Sequence, residues 1–388
     1  MRINKRKPHS GSKGLAFVMT LMLSMTLIGC EPPRILDETG LITVIGFDQL
    51  EKKRIRGTAA IPVVNSMAKQ KVQIISGTET TLRGILNDLD FQLDRKPRLG
   101  QMRVAIFNED MAKNGIIRFV GGLDRTEVGS RPYLAVVRGK SYDLVNASFQ
   151  EQGNIGLYLY YSIFKNVRGE QLISPTLHEF LRAYYSEGSD PCLPYLERKG
   201  DDIKILGLAL FKDDRFVDWI KPHQSFYIKL IRDQFRTGTF QTTLPKHIIK
   251  ARGYPSVSPT LKVQEVPVVL DTIASKSKVK LTSVNPPAFD VEIKIRSRLS
   301  EIGIKTNLES TQVLNQLNHG IEKKMEKEME QLIKFLQQKE IDPIGFGEQF
   351  RAQTRAEELK KEEWRKRYKQ AKFTFRVHND IIRTSITD

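Results

Sequence analysis

The most apolar stretch of the chain lies near its start. Residues 1–14 carry five basic side chains and no acidic one, and residues 15–28 (LAFVMTLMLSMTLI) follow with only threonine and serine as polar interruptions. A basic segment before an apolar run of this length is typical of a secretory signal peptide. A helix over the apolar run spans about 21 Å, less than the roughly 30 Å hydrocarbon core of a bilayer. The pattern therefore predicts a signal peptide over 1–29 rather than a transmembrane helix.

After the signal peptide, short apolar strands alternate with helical patterns. The first unit reads as a hairpin over 41–49 and 52–63, helices over 80–94, 109–123 and 174–188, and strands over 102–108 and 133–139. Residues 190–202 (DPCLPYLERKGDD) contain two prolines and indicate a linker. A second unit begins with a hairpin over 203–220, continues with a helix near 223–236 and becomes extended over 245–267. Alternation of this kind favours sheets buried under helices.

The third unit has the clearest pattern. Three strands are predicted over 266–273, 277–284 and 289–299, and in the last of them apolar side chains alternate with polar ones, so that one face meets water. A helix over 310–340 follows, because one apolar stripe steps by three or four residues: Leu314, Leu317, Ile321, Met325, Met329, Leu332 and Leu336. A charged helix over 348–370 and a strand over 372–386 close the chain.

These units give expected boundaries. They are the signal peptide (1–29), an N-terminal α/β domain (30–195), a middle domain (196–262) and a C-terminal α/β domain (263–388). The expected fold class is mixed α/β (α+β), and the C-terminal domain is expected to be an antiparallel-rich sheet packed with long helices.

Composition and charge narrow the class of protein. With 40% hydrophobic and 28% charged residues the chain is globular. Its net charge is +17, of which the predicted signal peptide contributes five positive charges, and the basic charge that remains suits anionic lipid headgroups. Nucleic acid is the other partner that basic proteins bind, but a secreted, membrane-tethered chain argues against it, so none is expected.

One of only two cysteines, Cys30, ends the apolar run. The sequence Leu27-Ile28-Gly29-Cys30 resembles the bacterial lipobox, in which the cysteine thiol receives a diacylglycerol and the peptidase cuts just before it. Two acyl chains anchor a protein stably, whereas one is marginal. Lipidation at Cys30 would leave only Cys192 free, so no disulfide is expected within the chain, and Cys192 is interpreted as a small buried side chain.

No catalytic pattern is present in the sequence. It has no G-x-S-x-G, H-E-x-x-H, Walker or C-x-x-C motif, and its six histidines are scattered without metal-ligand spacing. We therefore expect no catalytic residue, no metal site, no cofactor and no enzyme activity.

Two features near the C terminus each have two possible interpretations. The loop Asp342-Pro343-Ile344-Gly345-Phe346-Gly347 is most simply a helix stop, and alternatively a docking site for a partner. Trp364 lies in a charged helix that is most simply a solvated surface, but tryptophan is also enriched in interface hot spots. Asp342, Pro343, Gly345, Gly347 and Trp364 are thus candidate partner contacts.

The order of these pieces resembles one family. The lipobox cysteine, DETGLITVIGFD, LGLALFKDDRFVDWI, SEGSDPCLPYL, DPIGFGEQF and the last strand FTFRVHNDIIRTS together are similar to the C subunits of spore germinant receptors, the Ger(x)C lipoproteins. The family usually has Trp-Asp soon after the cysteine, where this chain has Glu31-Pro32-Pro33-Arg34, and often closes with Arg-x-Gly, where this chain has Arg383-Thr384-Ser385.

The resemblance implies a fold and a role. It implies three mixed α/β domains in a non-enzymatic lipoprotein on the outer face of the spore inner membrane. The implied partners are two integral membrane subunits, one with a large soluble domain and one resembling amino-acid transporters, which together sense nutrients and trigger germination. The alternatives are a solute-binding lipoprotein of a transporter and a cell-wall enzyme such as a peptidoglycan hydrolase. The former would show two similar lobes, and the latter would need a carboxylate pair or a metal site.

Overall fold

The structure, a computed structural model, describes most of the chain after residue 38. It covers residues 39–384 except 64–71, 127, 129–130, 147–153, 201, 235, 249–264, 305 and 356–357. The predicted signal peptide, the lipobox and most of the extended segment over 245–267 lie outside the described residues.

An eight-stranded mixed sheet organises the first half. Its strands are β2 (Val44–Gln49), β3 (Ile55–Pro62), β4 (Val72–Glu79), β6 (Val104–Asn108), β7 (Tyr133–Arg138), β8 (Cys192–Lys199), β9 (Asp202–Lys212) and β10 (Arg215–Ile220). Their order across the sheet is β10-β9-β8-β7-β6-β2-β3-β4. The strands β2, β6, β7 and β8 run parallel, and antiparallel hairpins flank them on both sides. A two-stranded sheet joins β1 (Thr39–Leu41) to β5 (Lys96–Arg98).

Helices cover both faces of this sheet. They are α1 (Leu82–Asp90), α2 (Glu109–Asn114), α3 (Ile117–Asp124), α4 (Ser141–Val145), α5 (Ile155–Arg168) and α6 (Leu177–Tyr185). Successive residues of one strand enter opposite cores: Ala105 and Phe107 pack with α1, α2, α3 and α6, whereas Val104 and Ile106 pack with α4 and α5. Because both faces are buried, the central strands are apolar throughout rather than alternating.

A four-stranded sheet and the remaining helices form the second half. The strands are β11 (Thr239–Pro245), β12 (Glu265–Val284), β13 (Pro287–Ile302) and β14 (Lys372–Thr384), in that order across the sheet. The first three are antiparallel, and β14 is parallel to β13. The helices are α7 (Pro222–Arg232), α8 (Thr311–Lys339), α9 (Phe346–Thr354) and α10 (Lys361–Gln370). One face of the sheet packs on the apolar stripe of α8.

The mixed α/β fold and most predicted elements are confirmed. The hairpins over 41–63 and 203–220, the alternation along β13 and the buried stripe of α8 all appear, although Leu314 is only partly buried. Strand β8 runs through the expected boundary between residues 195 and 196, and residues 40 onward group into one compact unit. The three-domain division stays a prediction.

Several elements differ from the predictions. The segment over 190–202 is no linker, because it forms the interior strand β8. The helix over 109–123 is two helices, since Gly115 has a φ of 107° that breaks the helical path. The strands over 266–273 and 277–284 are one strand, and the helix over 348–370 is two, interrupted where Arg355 is left-handed. Strand β4 and helices α4 and α5 were not predicted.

Candidate functional site

The loop over 342–347, predicted as a helix stop or docking site, turns around a buried aspartate. The Asp342 carboxylate is only 1% exposed. Its Oδ1 accepts the N–H of Gly345 at 2.8 Å, and its Oδ2 accepts the N–H of Gly347 at 2.9 Å. The indole Nε1 of Trp364 donates to the same Oδ2 at 3.0 Å. One carboxylate therefore fixes the loop and joins it to α10.

Burial changes the acidity of this group. Loss of hydration raises the pKa of Asp342 to about 6, and the backbone donors of the loop oppose that rise because they stabilise the charged form. The negative charge of Asp190 contributes to the rise.

A second aspartate, Asp190, forms a reciprocal pair with Asp342. The N–H of Asp190 donates to the Asp342 carbonyl oxygen at 2.9 Å, and the N–H of Asp342 donates to Oδ2 of Asp190 at 2.9 Å. Asp190 lies just before β8 and is 3% exposed. This pair connects the first sheet to the loop after α8, across 152 residues of sequence.

Two cations of α10 pair with the carboxylates of Asp190 and Asp213. Arg365, with a side chain 5% exposed, donates from Nη2 to Asp190 at 2.9 Å and to Asp213, in the β9–β10 turn, at 2.8 Å. The Nζ of Lys361 lies 3.3 Å from Asp213 and 3.7 Å from Asp190. Although burial opposes it, the hydrogen bond and charge of Arg365 hold the pKa of Asp213 below its ordinary value. A buried carboxylate needs such partners to remain charged. We call Asp190, Asp213, Asp342, Trp364 and Arg365 the Asp342 junction.

Two glycines bring the backbones together beside the junction. A Cβ on Gly188 would lie 2.3 Å from the Glu348 nitrogen and 2.4 Å from the Gly347 carbonyl carbon. These distances are far inside van der Waals contact, so only glycine fits at residue 188. The same restriction applies at residue 347, because a Cβ on Gly347 would lie 2.5 Å from the Cα of Gly188.

The predicted partner contacts make internal contacts in this structure. Asp342, Pro343, Gly347 and Trp364 are buried, and Gly345 is half-buried. Trp364 packs against Phe350 and Tyr368. The carboxylates of the junction are occupied by donors, and those of Asp190 and Asp342 are buried, so the arrangement is suited to clamping segments together rather than to proton transfer.

Sequence reasoning missed Asp190, Asp213 and Arg365. One signal for the pairing was available, since Asp-Pro occurs at 190–191 and again at 342–343, and the two aspartates face each other. No local pattern marked Arg365, which stands in a run of charged residues that reads as a solvated helix surface.

The remaining candidate groups do not belong to the Asp342 junction. Cys30 and the lipobox residues Leu27, Ile28 and Gly29 lie outside the described residues. Cys192 is partly buried, and loss of hydration raises the pKa of its thiol to about 11, which disfavours the reactive thiolate. Within the described part of the chain, no group of three or more histidine, cysteine or acidic residues is arranged to hold a metal ion. In that same part, no helix is both long enough and apolar enough to cross a bilayer.

The architecture has a counterpart among solved structures. The crystal structure of the GerBC protein matches 87% of this chain and 96% of its own chain, with a TM-score of 0.54 and 16% sequence identity. The chain is therefore a mixed α/β protein of the GerBC fold.

Sequence comparison places the chain in a family. The spore germination protein N-terminal domain matches residues 33–198, and the spore germination B3/GerAC-like C-terminal domain matches residues 206–385. The chain belongs to this GerAC-like, or Ger(x)C, family of spore germination proteins. It is 26% identical to spore germination protein GerQC of Bacillus cereus, over 96% of this chain and 99% of that protein. It is 23% identical to the putative spore germination protein YfkR of Bacillus subtilis (strain 168), over 91% and 92% of the two chains.

Proposed function

We propose that this protein is the lipid-anchored C subunit of a spore germinant receptor. It acts with two integral membrane subunits in nutrient-triggered germination, and it works by binding rather than by catalysis. The observation that carries this proposal is the pair of family domains, which follow one another in order across residues 33–385.

The anchor is a diacylglycerol on Cys30. In support, the lipobox Leu27-Ile28-Gly29-Cys30 stands directly before the first family domain, which begins at residue 33. Two acyl chains are enough for stable anchoring. The protein would then be held at the outer face of the spore inner membrane, where the membrane subunits are.

The Asp342 junction supports a binding role. Asp190 belongs to the first family domain, whereas Asp342 and Arg365 belong to the second, and buried hydrogen bonds of 2.9 Å join them. A protein whose domains are clamped in this way presents a rigid surface, and rigid surfaces lose little entropy when they bind a partner.

Affinity purification from spores tests the partnership. A tagged copy replaces the natural protein, the spore inner membrane is solubilised in mild detergent, and the co-purifying proteins are identified by mass spectrometry. We expect both membrane subunits to co-purify, and deletion of the gene to slow nutrient germination while leaving germination by a non-nutrient agent intact. A protein that purifies alone, and whose deletion leaves the response to every nutrient unchanged, would overturn the proposal.

A further inference from the structure

The outer face of the four-stranded sheet is exposed and basic. In β12 the side chains of Lys276, Lys278 and Lys280 alternate with buried or half-buried ones and point to solvent. Across the regular part of β12, β13 and β14, this face carries seven cations: Lys276, Lys278, Lys280, Lys294, Arg296, Lys372 and Arg376. It carries three carboxylates: Asp290, Glu292 and Asp380. We call this surface the basic face.

Several cations on the basic face make no close ion pair within the described part of the chain, although acidic residues lie opposite some of them in the strand register. Arg376 pairs with Asp290 at 2.8 Å and Lys294 pairs with Glu292 at 3.3 Å. In contrast, Lys276, Lys278, Lys280 and Arg296 make no ion pair with any described residue. On helix α8, on the other side of the sheet, Lys323 and Lys324 each pair with a glutamate of the same helix.

The strand register places one pair of like charges together, while Lys278 faces Glu292 and Lys280 faces Asp290. Lys276 lies directly opposite Lys294 in the antiparallel pair of β12 and β13. Like charges at directly opposite positions destabilise a sheet. The repulsion between Lys276 and Lys294, and the excess of seven cations over three carboxylates on this face, are relieved when an anion outside the protein lies against it.

The composition of the basic face identifies the kind of anion. Lysine is depleted in protein–protein interfaces, and aromatic anchors are enriched there. The basic face has several lysines, and its aromatic neighbours on β13 and β14, namely Phe289 and Phe375, point inward to the core. In a strand, alternate side chains are about 6.6 Å apart and neighbouring strands about 4.8 Å apart, so the cations form a broad array. A broad array of lysines without an aromatic anchor suits a layer of lipid headgroups.

We infer that the basic face binds an anionic lipid bilayer. This inference goes beyond the proposed function, because it concerns lipid headgroups rather than receptor subunits and does not need the acyl anchor. Each well-placed lysine or arginine adds about 1 kcal/mol of attraction to an anionic leaflet.

Vesicle binding tests the inference. The probe protein is residues 31–388, which keeps the whole compact unit that begins at residue 40. Binding is measured by co-sedimentation with vesicles of phosphatidylcholine, alone or mixed with phosphatidylglycerol. We expect binding only to the mixed vesicles, and loss of binding toward 1 M salt, where the Debye length is about 3 Å.

Two matched variants locate the binding surface. The variant K276Q/K278Q/K280Q should bind the mixed vesicles about 100-fold more weakly. The control K327Q/K334Q/K366Q removes the same charge from exposed positions on α8 and α10, where each lysine lies within four residues of a glutamate, and should bind like the natural sequence. Thermal melting confirms that each variant is folded.

Three outcomes would overturn the inference. They are equal binding to both kinds of vesicle, unchanged binding by the β12 variant, and equal weakening of both variants, which would assign the effect to net charge alone. Because these measurements need neither spores nor receptor subunits, their failure leaves the proposed receptor role standing. Conversely, failure of the germination experiments would leave the vesicle result unchanged.

Discussion

At the scale of single residues, Asp342 shows how one carboxylate can organise a loop. It accepts hydrogen bonds from two backbone N–H groups and from Trp364 while almost completely buried. Buried donors left without an acceptor cost about 1–3 kcal/mol each. Hydrogen bonding inside the fold therefore accounts for an aspartate at this position.

The raised pKa of Asp342 gives a pH prediction. The folded pKa of about 6 lies above the ordinary value of 3.8, so the folded state holds this proton more tightly than the unfolded chain does. The contribution of Asp342 to stability should therefore rise as the pH falls from about 7 to about 4, because ∂ΔG/∂pH is negative where the folded state binds more protons. Asp342→Asn keeps the shape and removes the titration.

The measurement is the free energy of urea unfolding for both proteins across that pH range. As the pH falls, the natural sequence should gain free energy of unfolding relative to Asp342→Asn. A constant difference across the range would contradict the assigned pKa, and a shift in the opposite direction would mean that the loop donors outweigh desolvation.

At the scale of elements, the hydrophobic periodicity predicts a helix or strand correctly where only one face of that element is buried. The stripe of α8 and the alternation along β13 follow directly from the burial of a single face. Strand β8 was missed because Pro191 and Pro194 suggest a linker. Proline is tolerated there because β7 pairs with β8 only from Tyr195 onward, so the ladder to β7 does not use residue 194.

The approach of two backbones gives an element-scale prediction. Gly188→Ala should lower the stability by about 1–3 kcal/mol, since its Cβ would push the segment before β8 away from the start of α9. Gly121→Ala is the matched control, because Gly121 lies inside helix α3 with no atom within 4 Å of its Cβ position. The control should be neutral or up to about 1 kcal/mol more stable, given the helix propensity of alanine.

Thermal and urea unfolding of the two glycine variants checks this prediction. Equal stability of Gly188→Ala and the natural sequence would show that the two backbones can separate freely, and the packing of the Asp342 junction described above would then be wrong.

At the scale of the whole molecule, the Asp342 junction joins the two family domains. Asp190 and Arg365 are 175 positions apart in the sequence. The composition of the loop over 342–347 marks Asp342 as a candidate contact residue. No short-range sequence pattern indicates a partner so distant, so the junction could be predicted only in part. Arg365 in particular has the sequence surroundings of a surface residue, and only the tertiary fold buries it.

A double-mutant cycle measures this connection. We expect Asp190→Asn and Arg365→Met to be coupled by about 1–3 kcal/mol, because both side chains are buried and share a hydrogen bond of 2.9 Å. The control cycle uses Arg367 and Glu363 on α10, an exposed pair at 2.6 Å whose coupling should stay below about 0.5 kcal/mol. Additive effects in the first cycle would show that the junction does not hold the domains together.

Under the proposed function, this chain serves nutrient germination as a lipid-anchored receptor subunit. The most direct measurement compares spores that carry Cys30→Ala with spores that carry Cys192→Ala, the only other cysteine of the chain. For each strain, the amount of the protein in the inner membrane and the rate of nutrient germination are measured together. We predict that both fall in the Cys30→Ala spores and that neither changes in the Cys192→Ala spores. Full membrane retention and normal germination of the Cys30→Ala spores would contradict the claim.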